Sequence, residues 1–148
     1  MGAMRVVISR VSSASVTVDG GVVSELPRPG LLVLASVGHE DTPDKLRAVA
    51  SKIWGLRILE DETAASDTNA PILVVSQFTL HASTRKGRRP SWSGAAPAAV
   101  SEPMVEQFCR DLEGLGAEVH RGRFGADMQV ASVNDGPVTV WIDTEHWT

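Results

Sequence analysis

Asn134-Asp135-Gly136-Pro137-Val138-Thr139 leads directly into Val140-Trp141-Ile142, so a flexible glycine and a rigid proline stand at the mouth of an apolar strand. Only about 5–6% of X–Pro bonds in folded proteins are cis, so the residues by themselves favour an ordinary trans turn before an edge strand. A cis bond would instead turn two carbonyl groups the same way, an arrangement suited to sensing the handedness of a ligand.

A second unusual segment, Ser76-Gln77-Phe78-Thr79-Leu80, ends an apolar run that begins at Ile72. Ser76 and Thr79 are candidate nucleophiles, but each needs an adjacent base, and the nearest imidazole along the chain is His81. No third orienting group is evident, so the spacing favours polar residues at a strand end. The free N–H groups of such a strand end can still stabilise an oxyanion without any side chain.

The remaining pattern predicts a strand-rich α/β fold in which mixed β-sheets pack against two helices. The helices begin at Thr42-Pro43 and at Ser101 with Pro103, where a hydroxyl or a proline suits a first turn. Residues 60–70 are predicted to form a polar loop and residues 81–98 a long functional loop. Val- and Ile-rich or alternating segments predict strands at 5–11, 15–19, 22–26, 31–37, 56–59, 72–80, 117–121, 127–133 and 138–143.

Each predicted helix has one apolar face at helical spacing. The first face comprises Leu46, Val49, Ala50, Ile53 and Trp54, and the second comprises Val105, Phe108, Cys109, Leu112 and Leu115. Cys109 on such a face is predicted to be a core thiol rather than a nucleophile.

The length and composition indicate one globular domain, because 148 residues with 43% hydrophobic and 22% charged residues can bury a sizeable core. We assign the domain to residues 4–148 and interpret residues 1–3 as added in cloning before a natural start at Met4. The chain has no apolar run near the roughly 20 residues of a membrane span and no signal-peptide pattern. With a single cysteine, these features predict a cytoplasmic protein with no membrane partner.

The charge balance excludes bulk coating of long nucleic acid, since the net charge is −4 and the pI is near 5.5. One segment opposes that sign: residues 84–90 hold Arg85, Lys86, Arg88 and Arg89. This cluster is either a solvated loop or a phosphate-binding site, because local charge can oppose the net charge.

Common catalytic and ligand-binding signatures are missing from the sequence, including the P-loop, G-x-G-x-x-G, H-E-x-x-H and G-x-S-x-G patterns. The histidines are scattered without ligand spacing, so we expect neither a metal site nor a cofactor. Arg10 interrupts an apolar strand; it is either exposed on the alternate face or holds a carbonyl or carboxylate with its planar fork.

Five segments together closely resemble the D-aminoacyl-tRNA deacylase family, in the family's order and from Met4 to about Thr144. They are the hairpin at 10–18, the segment at 76–80, TRKGRRPS at 84–91, GRFGADMQV at 122–130 and NDGPVT at 134–139. The resemblance implies a layered β/β/α fold and a homodimer. It also implies hydrolysis of the ester that joins a D-amino acid to the 3′-terminal adenosine of tRNA.

The resemblance also implies roles for single residues. Ser76, Gln77, Phe78 and Thr79 would form one wall of the catalytic site, and Met128 would lie in the pocket next to that wall. Gly136 and Pro137, with a cis bond between them, would form a chiral selector that enters the neighbouring subunit. Arg10 would secure the selector's backbone.

The mechanism implied by the resemblance needs no catalytic triad. The 2′-hydroxyl of the tRNA would help to activate water, while N–H groups near Phe78 and Thr79 bind the oxyanion. The selector carbonyls would exclude an L side chain but not glycine, so glycyl-tRNA is also an expected substrate. The cluster of Arg85, Lys86, Arg88 and Arg89 would contact tRNA phosphates, and DNA is not an expected partner.

Some positions depart from the family pattern. Ser9 stands where Gln is usual, Leu59 follows Arg57-Ile58 where Phe is usual, the 60–70 loop is shortened, and residues 145–148 lie outside the resemblance. Two other hypotheses remain open: an esterase that uses Thr79 as a covalent nucleophile on another ester, and a non-catalytic module that binds tRNA acceptor ends through the basic cluster.

Overall fold

A mixed six-stranded sheet is built around one long strand, β1 (Arg5–Val18), in the computed structural model, which describes residues 3–148. The predicted fold class, a strand-rich α/β domain, is confirmed. The further elements in chain order are β2 (Gly21–Glu25), β3 (Gly30–Ser36), α1 (Pro43–Gly55), α2 (Ala65–Thr68), β4 (Ile72–Ser76), α3 (Ala98–Gly114), β5 (Val119–Arg121) and β6 (Gln129–Asp143), with 3₁₀ turns at Glu60–Glu62 and Phe78–His81.

The strand order is β2-β1-β3-β4-β5, and β6 lies along the other side of β1. Pairing is antiparallel around β1 and parallel between β3, β4 and β5. Parallel neighbours need long crossovers, which α1 and α3 provide. The carboxyl ends of β3 and β4 therefore meet at one edge of the sheet.

Alternate residues of the central strands enter two different cores. One core packs the sheet against α1 and α3 and includes Ile8, Leu31, Ile72 and Phe108. The other contains Leu32, Leu73 and Val75 from the opposite face of β3 and β4, together with Val11, Ala14 and Val16 from β1. Since the second half of β1 packs over that face, the sheet curls into a nearly closed barrel.

The predicted start of α1 is confirmed, whereas the predicted start of α3 was wrong. Thr42 caps α1, with its Oγ1 accepting from the Lys45 N–H at 3.3 Å, and Pro43 follows at the first position. Helix α3 begins at Ala98, so Pro103 lies inside it rather than at its start. The earlier start is possible because the N–H groups of Val100 and Ser101 both donate to the Pro97 carbonyl, which closes the first turn.

Four other local predictions were wrong. The strand predicted at 72–80 ends at Ser76, and residues 78–81 form a 3₁₀ turn instead. Residues 56–59 form no strand, because their N–H groups bond within a local turn, as from Leu59 to the Thr63 carbonyl at 2.9 Å. Leu115 is 43% exposed rather than buried, since it lies past the end of α3. Residues 60–70 contain a 3₁₀ turn and a third helix, α2, where Asp67 accepts from the Ala64 N–H at 2.8 Å.

The last two predicted strands form one strand, β6, with a wide bulge. Ser9 pairs with Thr139 and Val11 pairs with Asn134, so residues 135–138 of β6 stand opposite Arg10 alone. The Gly136–Pro137 peptide bond in this bulge is cis.

Of the residues interpreted as added in cloning, Met1 and Gly2 lie outside the described residues. Ala3 is buried, and its carbonyl accepts from His81. Across residues 3–148, no helix has both the length and the apolar character that crossing a membrane requires.

Gly30, where β3 starts beside β4, provides a test of this packing. A Cβ at Gly30 would lie 2.1 Å from the Pro71 carbonyl oxygen, which accepts from the Leu31 N–H at 3.0 Å. We expect Gly30→Ala to lower the free energy of unfolding by about 3 kcal/mol, because backbone must move to admit the methyl group. Urea unfolding measures the change. Gly55→Ala is the control, since nothing lies within 4 Å of its Cβ position; equal stability of both variants would contradict this account.

Candidate active site

A cavity of about 390 Å³ opens where the carboxyl ends of β3 and β4 meet the start of α3. Ligands of open α/β sheets commonly bind at this edge. Three further segments complete its wall: the chain after β4, the 92–98 segment and the 124–125 loop. The lining residues are Ala35, Ser36, Val37, Ser76, Gln77, Phe78, Trp92, Ala95, Ala96, Ala98, Ser101, Val105, Phe124 and Gly125.

The chain after β4 extends the strand pairing by one residue and then turns. The Gln77 N–H donates to the Ala35 carbonyl at 2.8 Å, after which residues 78–81 form a 3₁₀ turn. The first residues of a helix lack acceptors for their N–H groups. Among residues 3–148, no atom accepts from the N–H of Phe78 or of Thr79. Phe78 lines the cavity, whereas Thr79, predicted as part of the same wall, does not. Two adjacent donors are therefore available where the chain leaves this wall.

The side chains of this wall offer no ionisable group within the described part of the chain. Gln77 Nε2 donates to Thr79 Oγ1, so the threonine hydroxyl is held by an amide rather than by a base. His81, the nearest imidazole in sequence, has both ring nitrogens engaged, one with Ser36 Oγ at 2.6 Å and the other with the Ala3 carbonyl at 2.5 Å. Burial is the main cause that lowers the pKa of His81, so the ring is neutral at neutral pH.

Aromatic rings form the exposed side of the cavity, and sequence reasoning missed two of them. Phe78 and Trp92 meet edge to face, with ring centroids 5.7 Å apart and planes at 87°. They are 57% and 39% exposed, although both are large and apolar. Phe124 lines the same cavity. The available signal for Trp92 was a large aromatic residue in a loop of Gly, Pro, Ser and Arg that no core pattern requires.

Arg10 holds the bulge of β6, as the fork hypothesis predicts. Its Nε donates to the Asp135 carbonyl at 2.7 Å, and its Nη1 donates to the Ile58 carbonyl at 3.4 Å. Gly136 has a φ of +137°, and a Cβ there would lie 2.8 Å from Arg10 Nη2 and 3.1 Å from the Val138 nitrogen, so the bulge favours glycine at this position. Asn134 adds a second tie, because its Oδ1 accepts from the Val138 N–H at 2.9 Å.

The bulge and the cavity wall are not brought together within one chain. Gly136 and Pro137 are exposed, and the wall formed by residues 3–148 does not include them. Arg10 pairs with Leu31, at the far end of β3 from Ser36. Five residues of β3 separate Leu31, beside the bulge, from Ser36 in the cavity wall, which is about 17 Å at the usual rise per residue.

Met128 lies behind the cavity rather than in its wall. A Cβ at Gly122 would lie 3.0 Å from Met128 Sδ, and this sulfur accepts from the Arg123 N–H at 3.4 Å. Met128 also packs against the second core. It therefore supports the loop that presents Phe124.

The basic cluster lies on a loop tied at its base. Ser83 and Ser91 exchange backbone hydrogen bonds of 2.7 and 3.1 Å, and Arg85, Lys86, Arg88 and Arg89 are exposed between them. Within residues 3–148 none of these four cations pairs with a carboxylate. The turn at 78–81 precedes this loop and Trp92 follows it, so the charges lie next to the cavity along the chain.

Cys109 is a buried core thiol, and its burial raises its pKa to about 12. The described residues contain no group of three or more His, Cys, Asp or Glu side chains placed to hold a metal ion.

Comparisons with known proteins agree with the geometry. A family model described as D-Tyr-tRNA(Tyr) deacylase matches residues 7–143. A D-aminoacyl-tRNA deacylase of Cutibacterium acnes is 60% identical over 97% of this chain and 99% of that protein, and one of Mycolicibacterium paratuberculosis is 62% identical over 95% and 99%. The chain belongs to the D-Tyr-tRNA(Tyr) deacylase family, so its class is that of a hydrolase. The resemblance found in the sequence motifs is confirmed.

Two solved structures share the fold. One, named c-Myc DNA Unwinding Element Binding Protein, is 37% identical, with a TM-score of 0.88 over 93% of this chain and 97% of that chain. The other is described as a probable eukaryotic D-amino acid tRNA deacylase and has a TM-score of 0.82 over 97% and 100%. At 16% identity, this second likeness shows the fold alone.

Proposed function

We propose that the cavity at the ends of β3 and β4 hydrolyses the ester between a D-amino acid and the 3′-terminal adenosine of tRNA. The observation that carries this proposal is made on residues 3–148: the adjacent N–H groups of Phe78 and Thr79 have no acceptor there, and the cavity wall that Phe78 lines has no ionisable side chain. Attack of water on the ester places negative charge on the carbonyl oxygen. Backbone donors already in place stabilise that charge without reorganisation.

The cavity wall formed by residues 3–148 supplies no general base, so a group of the substrate activates the attacking water. The 2′-hydroxyl of the terminal ribose is adjacent to the ester oxygen and orients and polarises the attacking water. Phe78, Trp92 and Phe124 offer ring faces and edges against which the adenine base packs, as bases of single-stranded RNA do on aromatic side chains. Ser76 and Gln77 complete this side of the site.

Selection between D and L substrates belongs to Gly136 and Pro137 of a neighbouring subunit in a homodimer. Support for this arrangement comes from their exposure and from the distance that separates them from their own cavity. The selector carbonyls, anchored through Arg10, occupy the space that an L side chain needs, while a D side chain points away. Glycine has no side chain to exclude, so glycyl-tRNA is hydrolysed as well.

Contacts to the rest of the tRNA come from Arg85, Lys86, Arg88 and Arg89. Within residues 3–148 these cations have no carboxylate partner, which supports phosphate binding in an acidic protein. A tRNA substrate places the protein in the cytoplasm. We propose no DNA substrate, because the reacting 2′-hydroxyl is absent from DNA.

Paired substrates test the reaction. D-tyrosyl-tRNA should be hydrolysed on the order of 10²-fold faster or more than L-tyrosyl-tRNA, and a tRNA ending in 2′-deoxyadenosine should react poorly. Thr79→Ala should keep most of the activity, because the threonine hydroxyl is not the nucleophile. A trapped acyl-Thr79 would instead favour the esterase hypothesis, and tRNA binding without any turnover would favour the non-catalytic module.

Mixing two defective variants tests the shared site. Phe78→Pro removes one N–H donor and an aromatic ring, and Gly136→Phe distorts the selector bulge, because the added side chain meets Arg10 and Val138. Neither homodimer has an intact site, but each mixed dimer has one. After subunit exchange we expect about a quarter of the wild-type activity, since half of the dimers are mixed. Exchanged samples without any recovery would show that each chain works alone.

The salt dependence of tRNA binding tests the basic cluster. The double change Arg85→Gln with Arg88→Gln should weaken binding and reduce the log–log salt slope by about one for each lost phosphate contact. The matched control is Arg47→Gln with Lys52→Gln, at two exposed positions of α1, which changes the net charge by the same amount. If both double variants keep the wild-type slope, the cluster is a solvated loop.

A further inference from the structure

A buried chain of hydrogen bonds lies directly behind the turn at 78–81. Ser36 Oγ is 2.6 Å from His81 Nδ1, and His81 Nε2 is 2.5 Å from the Ala3 carbonyl oxygen. Ser36 is 3% exposed and His81 5% exposed. Ser36 also belongs to the cavity wall. These hydrogen bonds thus link the segment before β1, the last residue of β3 and the last residue of the turn.

The direction of each hydrogen bond follows from the chemistry of its partners. A carbonyl oxygen can only accept, so His81 Nε2 carries a proton and donates to Ala3. In the neutral ring Nδ1 is then an acceptor, and the Ser36 hydroxyl donates to it. All polar atoms of the buried ring are satisfied in this tautomer.

This order of donors resembles a serine–histidine relay with a carbonyl in place of a carboxylate. A nucleophile must be reached by the ester carbon, however, and Ser36 is almost completely covered. These hydrogen bonds therefore stabilise the protein structure and do not take part in attack on the substrate. His81 is the last residue of the turn that carries the N–H groups of Phe78 and Thr79, so its hydrogen bonds hold that turn.

A second anchor holds the same turn. Arg5 Nη1 donates to the Leu80 carbonyl at 2.9 Å, and Arg5 Nε donates to Asp143 at 3.0 Å. The last two residues of the turn are thus fixed, Leu80 through its carbonyl and His81 through its ring. Arg5, Ser36 and Asp143 lie on β1, β3 and β6, and Ala3 lies two residues before β1.

We propose that His81 is a positioning residue: its neutral ring, bound to Ser36 and Ala3, locks the 78–81 turn so that the Phe78 and Thr79 N–H groups face the cavity. This inference rests on the proposed function, in which those N–H groups bind the oxyanion. A displacement near 1 Å at a reacting group costs on the order of 10²-fold in rate. Loosening the turn therefore lowers kcat more than it weakens tRNA binding.

Protonation acts against this lock. Burial lowers the pKa of His81 and is the largest cause, while the hydrogen bond to the Ala3 carbonyl raises it. The Arg5 guanidinium lowers it, the carboxylates of Asp41 and Asp143 raise it, and the net shift is downward. A lowered pKa in the locked arrangement means that the proton binds better when the ring is solvated. The lock is therefore complete at pH 8 and is lost as pH falls through the lowered pKa.

His81→Phe and Ser36→Ala test the inference, with His120→Phe as the matched control. The His120 side chain is 27% exposed and pairs with Glu118 away from the cavity wall. For His81→Phe at pH 8 we expect a fall in kcat of about 10- to 100-fold and a change in KM below about threefold. Ser36→Ala, which removes one hydrogen bond, should show a smaller fall in kcat, and His120→Phe should match the wild type.

The pH profile separates positioning from general damage. Because phenylalanine cannot titrate, the ratio of wild-type to His81→Phe kcat should shrink as pH falls, whereas a merely destabilised variant keeps a constant ratio. In the ¹⁵N NMR spectrum of wild-type protein at pH 8, Nε2 of His81 should be protonated and Nδ1 should not. This measurement needs no variant, and Ser36→Ala replaces His81→Phe if the latter does not fold.

Two kinds of failure remain distinct. A folded His81→Phe or Ser36→Ala variant with wild-type kcat, or a protonated Nδ1 at pH 8, overturns the inference while the wild type still hydrolyses D-aminoacyl-tRNA. A wild-type protein without turnover on D-aminoacyl-tRNA overturns the proposed function itself.

Discussion

The parallel pairing of β3 with β4 brings Ala35 opposite Ser76 and ends both strands at one edge of the sheet. The pairing continues for one more hydrogen bond, from the Gln77 N–H to Ala35, before the chain turns. A 3₁₀ turn that starts there has no acceptors for its first N–H groups. The donors beside the cavity are thus a consequence of where a parallel pair stops, and no special side chain is needed to create them.

The length of β1 imposes the second constraint. One end of this strand pairs with the part of β3 next to the cavity, and Arg10 pairs with the other end of β3. Strands are stiff, so the bulge that Arg10 secures cannot swing back over its own cavity. The fold therefore holds the Gly-Pro bulge firmly and far from its own cavity wall, which supports the proposal that the bulge acts on a second copy of the chain.

Local patterns predicted most of the strands, the cap of α1, the buried face of α1 and that of α3 apart from Leu115, because burial follows the period of each element. They failed at residues 56–59, where four apolar or long side chains fit a turn as well as a strand. Ser36 and His81 are 45 residues apart, so only the folded sheet shows that they meet. The residues around Gly136 favoured a trans bond, and the family resemblance alone predicted the cis bond that is observed.

A cavity wall without ionisable side chains has an energetic logic. A charge next to such an apolar surface would have to be desolvated, which costs several kcal/mol unless it is paired. Backbone N–H groups carry no net charge, so placing them beside aromatic rings has a small desolvation cost. They can still stabilise an anion when it forms. In the function proposed above, the acid–base role therefore belongs to the 2′-hydroxyl of the substrate. Under that proposal the site contacts the ribose and the ester, which every aminoacyl-tRNA has, and tests only the handedness of the amino acid.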